Sequence, residues 1–91
     1  MEEAKVEGQA LRKVFAAALQ SYRKKLGLSQ EALGGKAGLH RTYVSQVEQC
    51  RQAASLDSIE RLANALGVAP HLLLKPSRER ARISPEEADG S

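Results

Sequence analysis

Apolar residues at Leu11, Phe15, Ala18, Leu19, Tyr22 and Leu26 recur at steps of three and four, the stripe of an amphipathic helix. The pattern predicts a first helix from about Gly8 to Leu26. Lys24 and Lys25 complement the macrodipole in its last turn, and Gly27 suits the left-handed residue that ends it. Ser29 then offers an N-cap oxygen, and Glu31 a first-turn charge, to a second helix that ends at Gly38. After Leu39 a third helix is predicted from about Arg41 to Gln49. Ser55 caps a fourth, with a buried stripe of Leu56, Ile59, Leu62, Ala63 and Leu66 and an end at Gly67. Pro70 fits the first position of a short fifth helix over HLLL. Alternation at period two persists nowhere, so no strand is predicted.

From Lys75 the chain reads KPSRERARISPEEADGS, rich in Pro, Ser and charge. A flexible tail over 76–91 is the expectation, with a short extra helix around Arg78 to Arg82 as the alternative. The folded part is one domain, 8–75, because a chain of 91 residues supports a single small core. That core must be aliphatic, since there is no Trp, one Phe and two Tyr. The same shortage argues against a base-stacking platform for single-stranded nucleic acid.

Cys50 is alone, which rules out a disulfide framework and makes a cytoplasmic location the default. No signal peptide or membrane-length apolar run is visible, so no membrane association is expected. The net charge of +3 suits a phosphate backbone without demanding one. His40, His71 and Cys50 lack the short spacings of zinc ligands, so no metal is expected. A nucleophile elbow, a phosphate loop and a paired-carboxylate pocket are all missing. The chain therefore reads as a non-enzyme without a cofactor.

The informative stretch is 29–50, SQEALGGKAGLHRTYVSQVEQC. Two short helices meet there at a turn on Gly38, where positive φ is needed. Leu33, Ala37, Leu39, Val44 and Val47 can pin one helix to the other, and Gly34 supplies a small residue at their closest approach. The second helix of the pair carries Arg41, Thr42, Ser45 and Gln46 on one polar side. An arbitrary helix with such a face is usually just solvated. Set behind this turn, it is a means of reaching base edges in the DNA major groove.

With these residues in view, the stretch from about Leu11 to Leu74 resembles the Cro and lambda-repressor-like (Xre-type) DNA-binding domain. LGLSQEAL, AGLHRTYVSQVEQ and SLDSIERLANALGV carry the resemblance. It implies a compact all-α five-helix bundle that binds double-stranded DNA as a homodimer on a palindromic operator and regulates transcription. In size, and in GLHRTYVSQVE, the chain is similar to small stand-alone regulators, including restriction–modification controller proteins. Repression would follow if occupancy blocks RNA polymerase, and activation if it recruits polymerase as a partner. A second reading is an antitoxin-type module that holds a protein partner through the segment 75–91.

Carried onto this chain, the resemblance implies base-reading roles for His40, Arg41, Thr42 and Gln46. Gln30 stands where a helix N-terminus meets a phosphate. Tyr43, Ser45, Gln49, Arg51 and Gln52 are further phosphate candidates. Arg23 and Glu48 stand in the places of a buried ion pair. Val68, His71 and Leu74 are read as facing a second copy, with Leu72 and Leu73 packed inward; the alternative is that all of them close a monomer's core.

Two departures from the family pattern stand out. Gly34-Gly35 replaces an Ala and a good helix former. Cys50 stands where Gly is usual after the third helix, which predicts a shifted or looser cap over Gln49 to Ala54.

Overall fold

In the computed structural model, which describes residues 10–76, the first apolar stripe forms α1 over Ala10–Lys25. The start expected at Gly8 and the tail after Pro76, with its possible helix at 78–82, lie outside the described residues. α2 spans Gln30–Ala37, α3 Arg41–Glu48 and α4 Leu56–Leu66. No strand occurs among the described residues.

The fifth helix differs from expectation. Pro70–Leu74 is a 3-10 helix, giving four α-helices and a terminal 3-10 turn where five α-helices were predicted. Three residues per turn put Leu73, not the Leu72–Leu73 pair, at the deepest position. Leu73 is fully buried and Leu74 packs on the core, while Leu72 is half-buried outside that cluster.

Caps on both sides explain where the helices begin and end. The Ser29 Oγ accepts the Ala32 N–H at 2.9 Å, and the Ser55 Oγ accepts that of Ser58 at 3.0 Å. Left-handed Gly27, Gly38 and Gly67 terminate α1, α2 and α4. α3 ends the same way on Cys50, at φ 62°, the one non-glycine residue with positive φ among those described. The cap expected to shift or loosen has done neither. Cys50 N–H donates to the Val47 carbonyl at 3.1 Å and Arg51 N–H to that of Gln46 at 2.8 Å. These are the two bonds of a Schellman motif, which keep Cys50 in a conformation costing a β-carbon about 1–2 kcal/mol.

Phe15, Ala18 and Leu19 from α1, Leu33 and Ala37 from α2, and Val44 and Val47 from α3 share one core with Leu62, Ala63 and Leu66 of α4 and with Leu73. α2 packs on α3 and α4, while α1 closes against α3 and the 3-10 helix. Three residues of the predicted stripes fall outside this core: Leu11 is 57% exposed, Leu26 54% and Leu56 84%. Each lies at or just past a helix end, where the periodicity is right but no neighbouring element among the described residues covers it.

Candidate nucleic-acid interface

The pair α2–α3 is set by one close contact. A β-carbon built on Gly34 would lie 2.5 Å from the Leu39 carbonyl oxygen and 3.4 Å from the Arg41 nitrogen. Both are backbone atoms, so only glycine permits this approach. Its neighbour Gly35 is exposed, and a β-carbon there would meet nothing within 4 Å. The structure therefore requires Gly34 and makes no use of Gly35.

α3 starts on His40, whose Nδ1 accepts the Thr42 N–H at 3.0 Å. Accepting at Nδ1 puts the ring proton on Nε2 and leaves that atom as the ring's donor. The inner side of α3 buries Val44, Val47 and Glu48. The helical repeat then carries Thr42, Ser45, Gln46 and Gln49 to the opposite side, with Arg41 in the first turn at its edge. Arg41, Thr42 and Gln49 are exposed, and Ser45 and Gln46 half-buried.

Those five residues, with Gln30 from α2 and Arg51 after α3, line a shallow polar depression of about 320 Å³. Its lining contains two guanidinium groups and no carboxylate. Gln49 Nε2 donates to Ser45 Oγ at 3.0 Å, which steadies two of the walls. Hydrogen-bond donors and acceptors on a projecting helix, between two positive charges, suit a polyanion with readable edges.

Not every candidate gathers there. His40 is an exposed cap at the entry to α3, and Tyr43 is half-buried against the core. Gln52 borders a separate groove with Leu11, Phe15, Val47, Ile59 and Leu74. Val68 and Leu74 pack partly on the core, while His71 is exposed.

Behind the depression, Arg23 and Glu48 form a two-pronged pair: Nε to Oε2 at 2.7 Å and Nη2 to Oε1 at 2.9 Å. Their side chains are 11% and 2% exposed. The hydrogen bond to Glu48 raises the Arg23 pKa above its ordinary value, against the opposing effect of burial. Arg23 Nη1 also donates to the Leu28 carbonyl at 2.9 Å. Gln20 Nε2 donates to the Glu48 carbonyl at 3.2 Å and Gln30 Nε2 to Glu48 Oε1 at 2.9 Å. Glu48 therefore joins α1, α2 and α3. Sequence reasoning reached neither the His40 cap nor the Gln30–Glu48 bond. Histidine is not among the preferred N-caps, and the second contact exists only once α2 and α3 are packed.

A family model described as a helix-turn-helix domain matches residues 14–74. A hypothetical transcription factor of Neisseria meningitidis serogroup B is 46% identical over 81 residues, 89% of this chain and 76% of that protein. The crystal structure of the hypothetical transcription factor NHTF from Neisseria superposes with a TM-score of 0.79 at 45% identity, covering 85% of this chain and 88% of that one. Control protein C.SmaI of Serratia marcescens is 36% identical, over 82% of this chain and 90% of its own length. The restriction–modification controller protein C.AhdI from Aeromonas hydrophila superposes with a TM-score of 0.67 at 40% identity, covering 68% of this chain and 94% of that one.

Proposed function

The chain belongs to the helix-turn-helix domain family of DNA-binding transcriptional regulators, and from that premise we propose that it acts as a homodimer on a palindromic operator. The observation that carries this reading is the outer face of α3. Arg41, Thr42 and Gln46 share a depression flanked by Arg51 and free of carboxylates. Arg41 pairs with guanine O6 and N7, Gln46 with adenine N6 and N7, and the Thr42 methyl meets a thymine methyl. Gln30, Ser45, Gln49 and Arg51 take backbone phosphates and set the register.

One α3 of eight residues offers few base contacts. A second copy brings another α3 to the next half-site, about 34 Å along the duplex. The self-contact involves Val68, His71 and Leu74, joined by Leu72, which keeps apolar surface outside the core. Likeness to C.SmaI and C.AhdI supports a controller-type regulator of a restriction–modification system. Selection of bound duplexes from a random pool tests the proposal. A two-fold symmetric consensus, bound with a steep salt dependence, is expected. Recovery of no enriched sequence would overturn specific recognition, and an asymmetric consensus would overturn the dimer.

A further inference from the structure

Glu48 belongs to the core by burial, yet one of its bonds leads to the DNA-facing surface. Its Oε1 accepts Arg23 Nη2 at 2.9 Å and Gln30 Nε2 at 2.9 Å. Gln30 is half-buried, is the first residue of α2, and lines the same depression as Arg41 and Arg51. An ionised carboxylate only accepts hydrogen bonds. Paired with Arg23, Glu48 therefore admits the NH₂ side of the Gln30 amide and repels its carbonyl. A glutamine free in solution turns its amide either way at little cost. Here one of the two orientations is selected.

The geometry points to Glu48 as a positioning residue for DNA binding: the Arg23–Glu48 pair holds the Gln30 amide so that its second N–H meets a phosphate oxygen. This rests on the DNA-binding reading and adds a role for the ion pair beyond holding the helices together. An amide already oriented has less rotamer freedom to lose on binding than a mobile one. Gln30 is uncharged, so it releases no counterion. Its contribution is uniform across sequences and leaves the salt slope unaltered, unlike that of Arg51.

A double-mutant cycle measures the coupling. Gln30→Ala is expected to weaken binding to both a selected duplex and a mixed-sequence duplex by about tenfold, the scale of a hydrogen bond to a charged group. The background variant Arg23→Met with Glu48→Met replaces the pair by apolar side chains of similar length, a kind of exchange that often preserves folding. In that background Gln30→Ala should change affinity by less than about twofold. The same loss in both backgrounds would overturn the positioning role. Full affinity for Gln30→Ala in the wild-type background would overturn the phosphate contact.

A second measurement needs no destabilising variant and no DNA. In the wild-type protein, the side-chain amide protons of Gln30, assigned by their loss in Gln30→Ala, should exchange with water more slowly than those of exposed Gln52. Equal exchange would sink the proposal even if duplex binding were strong. Slow exchange in a protein that binds no duplex would instead preserve the held amide and remove the DNA-binding reading.

Discussion

The two sides of α3 obey different rules. Val44, Val47 and Glu48 on the inner side are buried and committed to α1, α2 and the core. Arg41, Thr42 and Gln49 on the outer side are exposed, and Gln49 donates to Ser45 across that face. The same division runs through α2, where Gly34 meets the Leu39 carbonyl and Gly35 meets nothing. One short helix thus carries two sets of constraints, linked across it through the Gln30–Glu48 bond. On the proposed reading, inner changes should alter stability and leave base preference alone, whereas outer changes should do the reverse.

The largest test of this contrast is the ion pair. Removing one partner leaves the other charge buried, so Arg23→Ala or Glu48→Ala is expected to destabilise by about 3–5 kcal/mol in denaturant titrations. Arg12→Ala serves as the control, and equal melting temperatures for all three variants would remove the pair from the account. Gly34→Ala comes next. Its methyl would overlap backbone at 2.5 Å, and a loss of roughly 1–3 kcal/mol is expected, the usual scale of overpacking. An unchanged melting temperature would show that α2 and α3 can separate freely.

On the outer side, Arg41→Ala and Gln46→Ala should leave the melting temperature in place. Each should relax base preference by about 1–3 kcal/mol at one operator position, read by binding to single-base variants of the selected duplex. A stability loss with unchanged preference would reverse the division. Cys50→Gly should raise stability by about 1 kcal/mol, because glycine carries no β-carbon penalty at φ 62°. Smallest of all, Gly35→Ala should add up to about 1 kcal/mol of helix propensity on an open face. A drop in melting temperature for either variant would reveal a contact that the fold does not show.

Helices with a periodic stripe and a capping residue were legible in the sequence, because Ser29, Ser55, Gly38 and Gly67 act through local backbone geometry. Burial at helix ends was not. Leu56 has the right spacing from Ile59 yet overhangs the core, since periodicity describes direction and not the extent of the opposing surface. Leu72 was misplaced because Pro70–Leu74 turns with a 3-10 repeat. In the candidate site, the arrangement of Arg41, Thr42, Ser45 and Gln46 followed from the helical repeat. The attachment of Gln30 to Glu48 depends on two helices meeting, which no single-helix pattern encodes. Gln52, a phosphate candidate carried over from the resemblance, borders another groove, a placement that depends on how the chain runs after α3.

The strained stop after α3 has a kinetic corollary. Its Cys50 junction is closed by backbone bonds like those behind Gly27 and Gly67, but opening it relieves a cost that the glycines never incur. Its second closing amide proton, on Arg51, should therefore exchange by local fraying sooner than those of Leu28 and Val68 at the matching places after α1 and α4. The segment proposed to lie along the duplex would then unwind from its far end first, and contact with DNA at Arg51 would slow that fraying.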